Sequence, residues 1–279
     1  MGKVNKDTRR HYQNDGVFLY IREGEKERKS TNRGGDLMKR VLFVLLVACV
    51  LLAAPSVMAI DLQVGTESTF VINRDVDLIN LGVEAEYSVQ YYDVTVAVPV
   101  ADWLTITPKA GINHSELDIV SGPAPLPTVE AESGIGWNIG VDVKATPIRT
   151  DYVDVAFIGG YRFARTDIDD IRIGALEISN PIETILYTHE WEIGAQVEKN
   201  LEEYVGVNIT PYIGIVYSDL QGDVDVNLAI VNLDEEIEAQ DNFGIRTGVS
   251  AEPIENLTLG VDLKFLDQTA VVAKATWSF

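Results

Sequence analysis

The chain has 279 residues, a formal net charge of −21 and a single cysteine, and 46% of its residues are hydrophobic. This length suits one sizeable all-β domain or two small domains. Because a strongly negative net charge would repel a phosphate backbone, no nucleic-acid partner is expected.

The N-terminal part of the chain divides into two segments. Residues 1–37 are polar and of mixed charge, without the apolar periodicity that a core needs. Residues 38–59 begin with a basic Met-Lys-Arg, continue with an apolar run over 41–54, and end with the small residues Val57 and Ala59. This order is typical of a secretory signal peptide cleaved after Ala59. Because a signal peptide normally begins a chain, we expect residues 1–37 to be a misannotated start or a disordered extension.

Two alternatives to a signal peptide fit this segment less well. The apolar run is shorter than the ~20 residues that a membrane-spanning helix needs. The sequence "LVAC" ending at Cys49 fits a lipoprotein signal, but the apolar run continues past it to a better cleavage site. Cleavage after Ala59 leaves residues 60–279, which contain no cysteine and therefore need no disulfide in an oxidising compartment.

The mature segment alternates apolar and polar residues with a period of two, which predicts strands rather than helices. On residues 257–265, for example, Leu259 and Val261 share one face, whereas Thr258 and Gly260 share the other. Ten strands are predicted, over 60–72, 81–98, 104–112, 135–143, 153–163, 187–197, 205–215, 243–250, 257–265 and 269–279. Within 81–98 the apolar parity switches near Tyr91-Tyr92-Asp93, which predicts a β-bulge.

Alternation fits either a soluble sandwich with its apolar face inside or a membrane barrel with its apolar face outside. A glycine-rich polar face and aromatic residues near strand ends favour the barrel. So do the connections, which alternate between two kinds. Short ones are predicted at 99–103, 147–152, 200–204 and 253–257, and longer ones at 73–80, 119–134, 167–183 and 219–241. The regular spacing also fits a propeller-like array, but the chain has no blade motif.

The ending "AVVAKATWSF" decides between these architectures. It resembles the C-terminal strand of bacterial outer-membrane β-barrel proteins through Val271, Ala273, Ala275, Trp277 and Phe279. The resemblance implies a closed, antiparallel, up-and-down transmembrane β-barrel of the small OmpA, OmpX or opacity-like architecture. About ten strands are expected, with eight or twelve as alternatives. It also implies an outer-membrane location among lipid and lipopolysaccharide, and a terminal strand read by the barrel-assembly machinery. A monomer is expected.

Charges of both signs fall on the face predicted to point inward, and they are expected to fill a narrow lumen as an ionic plug. The predicted inward charges are Glu84, Glu86, Lys109, Asp142, Lys144, Asp154, Arg162, Glu190, Glu192, Glu198, Arg246, Glu252, Asp262, Lys264 and Lys274. The favoured function is therefore a structural or surface-interaction barrel with its extracellular loops as the contact surface. A narrow porin-like channel or small-solute transporter is the alternative.

No catalytic, cofactor or metal site is predicted, and the protein is not expected to be an enzyme. His114 and Ser115 are adjacent and would point to opposite faces of a strand, and His189 has lipid-facing parity. The acidic segment 219–241 contains Asp223-x-Asp225-x-Asn227, half of a calcium loop without its glycine and distal glutamate. It is predicted to be a solvated loop, with weak Ca²⁺ or Mg²⁺ bridging to lipopolysaccharide as the alternative.

Overall fold

The computed structural model describes residues 62–121, 129–173, 176–179, 184–228 and 231–279. The predicted extension 1–37 and signal peptide 38–59 lie outside the described residues. The strands are β1 (Gln63–Leu78), β2 (Val83–Ala101), β3 (Leu104–Ser121), β4 (Val129–Ser133), β5 (Gly136–Arg149), β6 (Asp154–Ile173), β7 (Leu176–Ser179), β8 (Ile185–Glu198), β9 (Asn208–Leu228), β10 (Val231–Ala239), β11 (Phe243–Ile254), β12 (Leu257–Phe265) and β13 (Thr269–Ser278). A short helix, α1 (Glu202–Val205), joins β8 to β9. In this described part, no helix has the length and apolar character to cross a membrane.

Ten of these strands form a closed antiparallel ring. Its order is β1-β2-β3-β5-β6-β8-β9-β11-β12-β13, and β13 pairs back onto β1 from Val64 opposite Trp277 to Phe70 opposite Val271. Closure removes every free strand edge at this level, so all ladder hydrogen bonds are satisfied within the chain. The predicted all-β, up-and-down barrel of ten strands is confirmed.

A second, smaller ring stands above the first. The strands β4, β7 and β10 continue the lines of β5, β8 and β11 after short interruptions at 134–135, 180–184 and 240–242. The strand β10 pairs with β9 and also with β1, where Leu78 lies opposite Ile237. Because β10 reaches β1 directly, it closes over the shorter β12–β13 hairpin, and the upper ring has the order β1-β2-β3-β4-β6-β8-β9-β10.

The lengths of the strands divide the barrel into two sections. The strand β9 has 21 residues, which would extend about 69 Å at 3.3 Å per residue. Crossing a bilayer takes only about 9–11 tilted residues. We call the ten-stranded level, which holds Leu62 and Phe279 at its terminal end, the lower section. The eight-stranded level beyond it is called the extension.

The two sections have opposite polarity, and β2 shows this along one uninterrupted strand. Its odd-numbered residues from Val83 to Thr95 are all buried inside the barrel, so the strand keeps its parity throughout. What changes is their chemistry, from Tyr87 and Tyr91 inside the extension to Asp93 and Thr95 inside the lower section. The bulge predicted near Tyr91-Tyr92-Asp93 is therefore wrong, because the surroundings invert there while the backbone stays regular. In the pairing of β2 with β1, the register shift lies in β1, between Val71 and Arg74.

The outward face of β2 inverts in the same way. Glu84, Glu86 and Gln90 are exposed on the outside of the extension, whereas Val94 is an exposed apolar residue of the lower section. The predicted inward positions of Glu84 and Glu86 are therefore wrong. The prediction assumed that the apolar face of β2 points outward along the whole strand. In the extension the polar face points outward instead.

The inside of the extension is an apolar core. It contains Val71, Val76, Leu78, Val83, Ala85, Tyr87, Val89, Tyr91, Leu117, Ala164, Ile168, Ile171, Leu186, Leu220, Val224, Ile237 and Ala270, all buried. The extension is therefore built like a small soluble barrel, apolar inside and polar outside.

The long connections predicted from the sequence are largely strand in the structure. Segment 219–241, predicted to be a solvated loop, is a β-hairpin in which Asp225 lies opposite Asp234. Segments 73–80, 119–134 and 167–183 likewise contain the upper parts of β1, β3 and β6 and the strands β4 and β7. Apolar residues that pack into the extension core, such as Val224 and Ile237, hold the hairpin as a strand pair. Three of the short connections at the terminal end are confirmed, at 102–103, 150–153 and 255–256, whereas the one predicted at 200–204 is longer, covers 199–207 and contains α1.

Candidate functional site

The lumen of the lower section is filled by an ion-pair network. The carboxylate of Glu67 lies at its centre, 2.9 Å from Lys274 Nζ, 3.3 Å from Lys109 Nζ and 3.4 Å from Arg162 Nη2. Arg162 also reaches Asp93 at 2.7 Å. Glu67 and Asp93 are only 5% and 3% exposed. Charges buried this deeply need close partners, and each of the two has at least one.

The network continues around the lumen wall. Arg246 lies 2.7 Å from Asp262 and 3.6 Å from Glu192, and Lys264 forms a close ion pair with Glu192. Lys144 pairs with Glu198 at 2.7 Å. Seven cations and seven carboxylates are thus joined by ion pairs among the described lumen residues. Within these pairs the two signs are equal in number.

The boundary between the two sections is formed by two arginines. Arg74, which is 2% exposed, donates to Ser218 Oγ at 3.0 Å and lies 3.2 Å from Glu190. The guanidinium of Arg162 lies 3.9 Å from the ring centroid of Tyr91, at the base of the apolar core. A cation over an aromatic face is favourable. The ionic layer and the apolar core are therefore in direct contact.

A cavity of about 400 Å³ remains inside the lower section. Its wall includes Gln63 and Thr276 near the terminal end, and Val71 and Ala270, which belong to the apolar core of the extension. Polar groups line it between these limits, including Arg162 and Asp262. The cavity is therefore a polar space with the apolar core at one end.

Sequence reasoning placed most of the lumen charges correctly, since all its predicted inward charges except Glu84 and Glu86 lie on inward positions. It missed five buried charges, which are Glu67, Arg74, Asp93, Glu235 and Asp267. Asp93 sits at the inversion of polarity on β2, and Arg74 follows the irregularity in β1. The sequence does contain a signal for Glu67. In the strand predicted over 60–72, the least regular of the ten, Gly65, Glu67 and Thr69 alternate with outward residues and so share the inward face.

The outside of the lower section is an apolar band between two groups of aromatic rings. Near the extension the rings of Phe70 and Tyr92 are 5.8 Å apart, and those of Tyr217 and Phe243 are 5.0 Å apart. Further rings at this level belong to Trp137, Phe163, Tyr187 and Trp191. At the terminal end the exposed aromatic residues are Trp103, Tyr152, Tyr204, Trp277 and Phe279. Two aromatic belts around an apolar band are the arrangement of proteins that sit across a lipid layer.

The two described histidines lie on the outside of the barrel. His189 Nδ1 is 2.7 Å from the hydroxyl of Tyr161, within the upper aromatic belt. His114 lies on the outer wall of the extension and Ser115 is buried on the opposite face, as the sequence predicted. His114 Nδ1 is 3.3 Å from the carbonyl oxygen of Gly134.

The outer wall of the extension is strongly acidic. Across β2, β3 and β4, Glu86 lies opposite Asp118, and Asp118 lies opposite Glu130. Burial, followed by Glu130, Glu116 and Glu86, raises the pKa of the Asp118 carboxyl above its ordinary value. Like charges directly opposite on a sheet repel one another, so this wall is electrostatically strained as it stands.

No protein-family model and no curated protein sequence matches the chain. Among solved structures, the chain is similar to the translocator domain of the autotransporter NalP from Neisseria meningitidis, at 11% identity over 90% of this chain and 98% of that one, with a TM-score of 0.43. It is also similar to the outer membrane protease OmpT from Escherichia coli (8% identity, 79% and 96% coverage, TM-score 0.41). A third is the toluene transporter TbuX of Ralstonia pickettii (12% identity, 83% and 93% coverage, TM-score 0.32). These TM-scores lie below 0.5, so the assignment to the β-barrel class rests on the closed ring of strands described above.

Proposed function

We propose that this protein is a closed outer-membrane β-barrel that holds an acidic β-stranded extension at the cell surface as a contact platform. The observation that carries the proposal is the apolar core that closes the interior of the extension. An apolar core occupies the extension, and an ion-pair network occupies the lower section. A pore would need a continuous water-filled path. In this barrel, fully buried side chains such as Tyr87, Tyr91 and Ile237 lie across the interior of the extension.

The proposed membrane embedding is supported by the dimensions of the apolar band. On the outward face of β2 the band runs from Tyr92 to Val100, eight steps that rise about 26 Å along the strand. With the 35–45° tilt of outer-membrane strands, this gives about 20 Å across the membrane, close to the ≈ 25 Å apolar band of such barrels. The extension then lies outside the lipid, where its polar outer wall meets water.

The proposal also covers assembly, export and enzymatic activity. The terminal strand, with Trp277 and Phe279 facing outward at the terminal end, is read by the barrel-assembly machinery. The protein is exported by the signal peptide 38–59 and works in the outer membrane of a bacterium as a monomer. We propose that it is not an enzyme: His114 lies against the Gly134 carbonyl and Glu116, and His189 against the Tyr161 hydroxyl, both on the outside of the barrel.

A narrow channel is the second candidate, and the cavity of about 400 Å³ in the lower section favours it. Planar-bilayer recording separates the two candidates. The closed barrel predicts no conductance steps for the folded protein, with heat-modifiable gel mobility as the check that the barrel is folded. Steady ohmic steps from folded protein would contradict the closed barrel and establish the channel.

The surface location of the extension is tested by epitope insertion. A tag inserted at 122–128, between β3 and β4, is expected to bind antibody on intact cells. The same tag inserted at Asp151, between β5 and β6 at the terminal end, is the matched control and should bind only after the cells are permeabilised. The reverse pattern would mean that the extension faces the periplasm, and the contact platform would be lost.

A further inference from the structure

The outer wall of the extension contains one place where an imidazole joins the carboxylates. His114 and Glu116 are two residues apart on β3 and share its outward face, and Glu132 lies directly opposite Glu116 on β4. His114 Nε2 is 3.7 Å from Glu116 Oε1. One donor atom from each of the three residues lies within 4.8 Å of the other two.

The histidine is oriented for binding through Nε2. Its Nδ1 lies 3.3 Å from the carbonyl oxygen of Gly134. A carbonyl oxygen only accepts hydrogen bonds, so this contact favours the tautomer with the proton on Nδ1. In that tautomer Nε2, which lies 3.7 Å from Glu116 Oε1, carries the free lone pair. Metal-binding histidines usually donate the N–H of their other ring nitrogen to an oxygen acceptor in this way.

The three donors stand on a rigid support. The Ser115 main-chain N–H donates to Ser133 Oγ at 2.7 Å, and both serines are buried beneath the site. The paired backbone of β3 and β4 fixes Glu116 opposite Glu132. Sites built on paired strands hold their geometry better than sites on loops.

The spacing suits a small dication. Zinc binds imidazole nitrogen and carboxylate oxygen at about 2.0–2.2 Å, which places tetrahedral ligands about 3.4 Å apart. The 3.7 Å between His114 Nε2 and Glu116 Oε1 is already close to this, and a carboxylate oxygen of Glu132 lies within 4.8 Å of the ligand atoms of both. Glu132 is at present 3.9 Å from Arg172, whose side chain is about half exposed. Arg172 therefore competes only weakly with a cation for the Glu132 carboxylate.

We propose that His114, Glu116 and Glu132 bind a divalent cation of the zinc class, which joins β3 to β4 on the outer wall of the extension. An acidic surface alone attracts cations diffusely and prefers none, whereas an imidazole ligand favours Zn²⁺ over Ca²⁺ and Mg²⁺. The cation relieves the repulsion between Glu116 and Glu132. With three protein ligands, at least one position stays open to water or to an anionic group from outside.

Isothermal titration of ZnCl₂ into the folded protein in detergent micelles at pH 7 tests this site. We expect one equivalent of Zn²⁺ to bind, and millimolar Ca²⁺ not to displace it. Loss of a second-shell partner already lowers metal affinity 10–100-fold, so His114→Gln and Glu132→Gln should each weaken binding at least tenfold.

The matched control is Glu130→Gln, which removes the same charge from the same strand but lies opposite Asp118 rather than Glu116. It should change the Zn²⁺ affinity less than twofold. Absence of Zn²⁺ binding would overturn the proposal. So would unchanged affinity in His114→Gln, equal losses in Glu130→Gln and Glu132→Gln, or displacement by millimolar Ca²⁺, because each would leave only a diffuse acidic surface. Heat-modifiable mobility verifies that every variant is folded.

Discussion

The inversion of polarity along β2 predicts that the outward face of this strand tolerates a charged residue in the extension but not in the lower section. Val96 lies midway along the apolar band from Tyr92 to Val100 and shares its outward face with Glu86 in the extension. An arginine near the midplane of a membrane barrel costs about 2–4 kcal/mol. The Val96→Arg variant should lose that much stability.

The matched variant is Glu86→Arg, which places the same side chain on the same face of the same strand. Its site is exposed and lies opposite Asp118, so the change relieves a repulsion and should stay within about 0.5 kcal/mol of wild type.

The assay is reversible urea unfolding of the barrel in lipid vesicles, extrapolated linearly. For a slope of about 2 kcal/mol/M, Val96→Arg should lower the midpoint by about 1–2 M urea, and Glu86→Arg should hardly move it. Equal costs at the two positions would refute the reasoning, because they would mean that both face the same medium.

Three further predictions concern the terminal strand, the lumen and the acidic wall. Replacing Phe279 by Asp should lower the amount of assembled barrel in outer-membrane fractions, whereas replacement by Tyr should be milder; wild-type assembly of the Asp variant would contradict the role given to the ending. Arg162→Met should destabilise the barrel by about 3–5 kcal/mol in the same urea assay, because it leaves the Asp93 carboxylate buried without this partner. The control is Arg165→Met, which breaks an exposed ion pair with Asp167 and should cost under about 1 kcal/mol. Similar costs for the two variants would argue against a tight network. Because the folded-state pKa of Asp118 is raised, stability should fall as pH rises from about 4 through that pKa, and Asp118→Asn should flatten this slope; a parallel profile would remove Asp118 as its source.

The ring of strands could be predicted from the sequence because lipid and lumen impose a strict period of two. On β12, Leu259 and Val261 face outward while Gly260 and Asp262 face the lumen, and both roles are visible in the residue types. The extension could not be predicted in the same way. Its core residues, such as Val76 and Tyr87, also alternate, but alternation does not state which medium surrounds the strand.

The closure of the upper ring depends on a contact between distant parts of the chain. Leu78 pairs with Ile237 because β10 passes over the short β12–β13 hairpin. No local pattern encodes that pairing, so segment 219–241 was predicted to be a loop.

The proposed cation site could likewise be predicted only in part from the sequence. The placement of His114 and Glu116 on one face could be read from their spacing, whereas Glu132 joins them only through the register of β3 against β4. Register is set by pairing partners and turn geometry rather than by the residues of one strand.

A cysteine scan of β2 tests the central claim that the barrel inverts its polarity above the membrane band and is closed inside. The mature segment has no cysteine of its own, since Cys49 lies in the predicted signal peptide. The account predicts that a water-soluble maleimide labels cysteines at Glu84, Glu86 and Gln90 in folded protein in vesicles. It should not label those at Val94, Val96 and Val98, which face lipid, nor those at Ala85, Tyr87 and Val89, which face the apolar core. Labelling at the core positions would reveal an aqueous path, and labelling at Val94 to Val98 would show that no lipid covers the band; either result would contradict the account.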